Sequence, residues 1–131
     1  MPSLFKKSHD AWRKLCQRNG YEYKLWGKGE ADELIKNHYP SHWQRYQRFP
    51  HAVMRADFAR IAILHRHGGM YVDLDVFPNR SEYEACDLGM CEVAKKYGGV
   101  LIELEVICAK AGHSFLDQWM RQIHKLSLIH I

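Results

Sequence analysis

Two aspartates two positions apart, Asp73 and Asp75, close the stretch Gly68-Gly69-Met70-Tyr71-Val72-Asp73-Leu74-Asp75-Val76, and a carboxylate and a guanidinium three positions apart, Asp57 and Arg60, lie just upstream. Carboxylates this close repel each other by about 2 kcal/mol at a partly screened site. Something must offset that. Either the pair faces water at the end of a strand, or a divalent cation sits beside it. Ions of the magnesium type take one or two carboxylates and complete their shell with phosphate oxygens and water. Asp57 with Arg60 has an ordinary explanation of its own, because opposite charges at i and i+3 of a helix pair with each other.

The elements that must position these groups follow from spacing. Ala52 to His67 holds no glycine or proline, Pro50 precedes it and Gly68-Gly69 follows, the punctuation of a helix that stops in a left-handed turn. At helical pitch Val53, Asp57, Arg60, Ile61 and Leu64 share one face, with Arg55, Ala59, Ala62 and Arg66 opposite. Two charges therefore stand inside an apolar stripe. After the glycines, Met70, Val72, Leu74 and Val76 alternate with Tyr71, Asp73, Asp75 and Phe77. Alternation predicts a strand with its aliphatic side toward the core and Tyr71, Asp73 and Asp75 together on the other side, the carboxylates about 7 Å apart between Cα atoms.

Arg55-Ala56-Asp57-Phe58-Ala59-Arg60, then Leu64, then Gly68 through Val76 resembles the sugar-binding region containing a DXD motif of glycosyltransferases. That group takes in glycosyltransferase family 32 (yeast-type mannosyltransferases and inositol-phosphoceramide mannosyltransferases), the α1,4-galactosyltransferases and the large clostridial glucosylating toxins. The match in spacing runs over Asp57, Arg60, Gly68, Gly69, Tyr71, Asp73 and Asp75; weaker likeness covers Tyr21 to Trp26 and Ala111 to Leu116.

The resemblance implies an α/β fold of the GT-A type, a Rossmann-like nucleotide-binding sheet flanked by helices. It implies a metal-dependent, retaining transfer of a hexose such as mannose or galactose from a UDP- or GDP-linked sugar to a glycan or glycolipid acceptor. Asp73 and Asp75 become the catalytic pair. Asp75 is the direct ligand of Mn²⁺ (or Mg²⁺), Asp73 contacts the nucleotide ribose and the water shell of the metal, Asp57 and Arg60 reach the donor sugar and its phosphate, and Tyr71 packs beside the nucleotide. Golgi or secretory-pathway residence is expected on the same ground. Relatives open with an Ile-His-x-Ile-Trp-like strand and continue past the last helix, so residues 1–131 are expected to be one partial catalytic domain around a DXD core at 51–80. Relatives also place an asparagine near Glu105 or Val106, where this chain has none. The alternative class is a non-catalytic sugar-nucleotide-binding remnant, with Asp57 and Arg60 as a structural pair and the aspartates capping a loop.

Composition agrees with a single soluble domain: 131 residues, 47% hydrophobic and 26% charged, with a net charge of +4. The excess suits an anionic partner, but the basic residues are scattered and form no run that reads as a nucleic-acid patch. No stretch is long enough to span a membrane, and the first residues lack the apolar core of a signal peptide. Cys16, Cys86, Cys91 and Cys108 make no C-x-x-C pair, which argues against zinc and leaves buried free thiols as the default, with disulfides of undetermined connectivity open in an oxidising compartment.

The rest of the chain alternates helix and strand, the pattern of a layered α/β sheet. Ser8 caps a helix through about Asn19, with Trp12, Leu15 and Cys16 inward and Gly20 as its stop; Tyr21 to Trp26 reads as a strand. Glu30 to Asn37 and Ser41 to Arg48 read as short helices, the second with His42, Trp43, Tyr46 and Phe49 as a core edge. Asn79 to Asp87 reads as loop. Leu88 to Ala94 and Val100 to Ala109 are strand candidates joined by a glycine turn, with Glu103 and Glu105 on one face of the second. Ser114 to Leu126 is an amphipathic helix built on Phe115, Trp119 and Ile123.

Overall fold

The structure, a computed structural model, describes residues 3–78, 100–102 and 106–129. The expectations for the loop at 79–87, the strand at 88–94, the turn at 95–99, Glu103 and Glu105 lie outside the described residues. The chain is mixed helix and small sheet. It divides into two compact units, Met1–Trp26 with Met70–Cys108 and Gly27–Gly69 with Ala109–Ile131.

The first unit begins with α1 (Ser3–Asn19). The helix starts five residues before the expected cap, and Ser8 is a buried interior residue at 1% exposure. Its hydroxyl serves a distant carbonyl instead of the helix end. Gly20, at φ 75°, stops the helix as expected, and the Tyr21 N–H donates to the Cys16 carbonyl at 2.9 Å. Tyr21 to Trp26 forms no strand. The sheet of the described residues has three strands in the order β1-β3-β2, with β1 at Gly69–Val72, β2 at Val100–Ile102 and β3 at Val106–Ala109. One expected strand, Val100 to Ala109, is thus two. Trp12 and Val76 form one buried cluster of this unit, with Tyr23, Met70 and Val72 packed on them, and Ile107 and Cys108 are buried as well.

The second unit is helical: α2 (Lys28–His38), α3 (Pro40–Gln47), α4 (Ala52–His67) and α5 (Ser114–Ile129). Pro40 opens α3 in the first-turn position where its missing N–H costs nothing, one residue before the expected start at Ser41. Helix α4 packs against α2, α3 and α5. Enclosure from several sides buries Phe58, Ala59, Ile61, Ala62, Ile63 and Leu64, which corrects the one-faced wheel that put Ala59 and Ala62 outside. Val53, expected inside, is 65% exposed.

Gly68 ends α4 at φ 68°, its N–H donating to the Leu64 carbonyl at 2.7 Å. A Cβ there would lie 2.6 Å from the Ala111 nitrogen, so glycine is required both by conformation and by space. Among the described side chains of α5 the buried ones are Leu116 and Met120, not Phe115 and Trp119. Those two rings instead meet edge-on at 5.8 Å. Among the described residues no helix is long and apolar enough to cross a membrane. Cys16 is free. Cys108 is disulfide-bonded, a correction to the free-thiol default that no spacing signal announced.

Candidate functional site

Strand β1 stops at Val72, and Asp73-Leu74-Asp75 form a turn closed by the Val76 N–H donating to the Asp73 carbonyl at 3.1 Å. The two aspartates therefore do not share a strand face. Leu74, expected on the buried side, is 36% exposed, whereas Val76 is buried at 7%. Asp73 is half-buried and Asp75 exposed, and Tyr71 stands half-buried on β1 just before them. The acidic turn sits at the carboxyl end of its strand, where open α/β sheets bind ligands.

What holds this turn was not legible from the motif. The Val76 carbonyl, one residue beyond Asp75, accepts two hydrogen bonds from α1: Ser8 Oγ–H at 2.5 Å and Trp12 Nε1–H at 2.7 Å. Both donors are buried, Trp12 at 3% exposure. Ser8 and Trp12 are four apart and so share one helical face. A serine on the same inward face as a tryptophan is the signal that could have pointed to a buried polar contact, since a buried hydroxyl needs a partner.

Asp57 and Arg60 are brought together as an ion pair within α4, with side chains 45% and 21% exposed. They lie at the rim of the helix rather than within its buried face. A pair this exposed contributes about 0.2 to 1 kcal/mol. These two residues belong to the helical unit, and Tyr71, Asp73 and Asp75 to the other. Arg55, expected only as an outer charge, donates to the Phe49 carbonyl at 2.8 Å.

The helical unit carries its own buried polar contacts. Tyr39 Oη lies 2.5 Å from His65 Nδ1, and burial above all pushes the Tyr39 hydroxyl up to about 12. Tyr46 donates to Asp32 at 2.6 Å; burial and that bond both keep its hydroxyl protonated well above the usual phenol range. The rings of Tyr46 and Phe49 meet Phe58 at 5.8 and 6.1 Å, and His42 meets it at 5.4 Å. The aromatic edge of α3 is therefore core, as its spacing suggested. A polar cleft of about 540 Å³ opens in this unit beside His38, Tyr39, His42, Arg45, Asp117 and Arg121, and none of the predicted site residues lines it.

Among the described residues no group of three or more His, Cys, Asp or Glu side chains gathers to hold a metal. Asp73 and Asp75 supply two hard oxygen ligands from one turn, and Asp75 has no side-chain partner among the described residues. That donor set fits a magnesium-type or manganese ion which takes its other ligands from phosphate and water. It does not fit the closed four-ligand cage of structural zinc.

Residues 2–88 match the family described as "Glycosyltransferase sugar-binding region containing DXD motif". Inositol phosphoceramide mannosyltransferase 3 of Schizosaccharomyces pombe is 43% identical over 61 residues, 47% of this chain and 17% of its own length. An uncharacterized glycosyltransferase of Acanthamoeba polyphaga mimivirus is 28% identical over 120 residues, 89% of this chain and 47% of its own. A mannosyl phosphorylinositol ceramide synthase of Saccharomyces cerevisiae is 40% identical over 55 residues, 42% of this chain and 14% of its own. The chain thus spans less than half the length of each of these relatives. No solved structure matches it significantly.

Proposed function

The chain belongs to the glycosyltransferases whose sugar-binding region contains a DXD motif, and on that premise we propose that it moves a hexose from a nucleotide diphosphate sugar to a hydroxyl of a glycan or lipid, with Mn²⁺ or Mg²⁺ and with retention of configuration. The observation that carries the proposal is the acidic turn, which offers two carboxylates at the end of a strand and leaves Asp75 exposed. The relatives named as mannosyltransferases support mannose as the hexose and an inositol phosphoceramide as the acceptor. A GT-A catalytic domain, of which residues 1–131 form part and 51–80 the core, is the architecture this reading requires, and family likeness supports work in the secretory pathway.

In this reading Asp75 would hold the cation, and Asp73 would accept a hydrogen bond from the nucleotide ribose and help to hold the metal. When bound, the cation acts as a Lewis acid that neutralises charge developing on the leaving diphosphate. Carboxylates suit both roles because they only accept hydrogen bonds and carry full negative charge near neutral pH. Arg60 donates to a donor phosphate oxygen and Asp57 accepts from the sugar hydroxyls, each exchanging part of its ion pair for the ligand. Tyr71 packs its ring beside the base. Orienting the donor is what such groups would contribute to the rate.

The Asp57–Arg60 pair, complete without any ligand, favours one second reading, a non-catalytic sugar-nucleotide binder. Incubating the protein with GDP-mannose or UDP-hexoses and an inositol-phosphate-bearing lipid, with Mn²⁺ or with a chelator, separates the two. Mass-spectrometric appearance of a hexosylated lipid only with the metal supports transfer; donor binding with no product supports the binder.

A further inference from the structure

Two donors from one helix converge on a single acceptor next to the acidic turn. Ser8 and Trp12 both bond the Val76 carbonyl, at 2.5 and 2.7 Å, and the Val76 N–H closes the turn on Asp73 at 3.1 Å. Ser8, Trp12 and Val76 are 1%, 3% and 7% exposed, so water does not compete for these bonds. With both donors in place, Val76 is tied through its carbonyl to α1 and through its N–H to Asp73. We infer that Ser8 and Trp12 are positioning residues that lock the Asp73-Leu74-Asp75 turn in the conformation that receives a metal-bound diphosphate. The inference rests on the reading that this turn binds that group.

Physically, an acidic turn without such a lock loses its order when free and must regain it on binding, which lowers affinity without altering any ligand contact. The two bonds share one acceptor. Removing either donor leaves the carbonyl satisfied by the other, whereas removing both orphans a buried carbonyl, which is disproportionately costly. The two residues should therefore couple, and the coupling should appear in metal-dependent binding.

The test uses the full chain with Mn²⁺ and GDP or UDP as probes. Titration calorimetry is run on the wild type, Ser8→Ala, Trp12→Phe and the double variant, at a temperature well below every denaturation midpoint. Each single variant should weaken Mn²⁺-dependent binding by about 2- to 5-fold, and the double variant by more than the product of the two, about 30-fold or beyond. Ser8→Thr, which keeps the hydroxyl, should restore most of the loss seen with Ser8→Ala. Hydrogen exchange at the Val76 amide should speed up in the double variant. Should Trp12→Phe fail to fold, Ser8→Ala against Ser8→Thr carries the comparison alone. Wild-type affinity in the double variant, or losses that merely multiply while Val76 exchange stays constant, overturns the positioning role and leaves the metal reading standing. A wild type that binds GDP and UDP identically with and without Mn²⁺ overturns both.

Discussion

The two compact units solve different problems. In the helical unit order comes from volume: Phe58, at 0% exposure, is surrounded by the rings of His42, Tyr46 and Phe49, and α4 buries four successive residues, Ile61 to Leu64. In the other unit, one backbone carbonyl is held by two side-chain donors, and the acidic residues stand directly beside it. Aliphatic and aromatic packing tolerates modest repacking. A hydrogen-bonded turn depends on individual atoms. The comparison therefore predicts that stability is concentrated in the helical unit and metal-dependent binding in the acidic turn, so that substitutions should separate the two properties.

The largest expected effect is on stability. Phe58→Ala should cost about 3 to 5 kcal/mol in urea denaturation by opening a cavity among three rings; a loss below 1 kcal/mol would mean that the ring cluster is not what holds the helices. Next comes Gly68→Ala. It combines positive φ with a Cβ 2.6 Å from the Ala111 nitrogen and should cost about 2 to 4 kcal/mol in the same experiment.

A smaller effect follows from His42, whose imidazole burial holds below its ordinary pKa. The unfolded chain then takes up a proton at a pH where the folded chain does not. Stability is thus full above about pH 6.5 and declines as pH falls toward the lowered folded value. Urea midpoints at pH 7.5 and 5.5 should differ in the wild type and differ less in His42→Gln. The smallest stability effect belongs to Asp57→Asn, about 0.2 to 1 kcal/mol for an exposed pair. If its loss of donor affinity clearly exceeds that figure, the pair serves the ligand as well as the helix.

The sequence was most readable where a residue's local rule was also its tertiary role. Glycines 20 and 68 stop their helices because positive φ admits little else there, and the ends of α1 and α4 follow from that punctuation. It misled where packing outvoted periodicity. Helix α4 is enclosed by three neighbours, so Ala59 and Ala62 are inside, and α5 turns Leu116 and Met120 inward while its largest rings pair with each other. Alternation carried the β1 reading too far, because a pattern of period two cannot show where hydrogen bonding to a neighbouring strand ends. The Ser8–Trp12–Val76 contact joins positions 68 and 64 residues apart, a relation that no local spacing encodes. The aspartates, by contrast, were singled out as candidates by their interval in combination with Asp57, Arg60 and the two glycines.

In the proposed function the Asp73–Asp75 turn receives a cation together with a sugar diphosphate. Calorimetric titration of GDP-mannose and UDP-hexoses into the wild type and Asp75→Asn, each with Mn²⁺ and with a chelator, tests it most directly. Binding should be strengthened by Mn²⁺ in the wild type and weakened about 100-fold or more in Asp75→Asn, with the urea midpoint unchanged. Equal affinity in the two proteins, with no response to Mn²⁺, would contradict it.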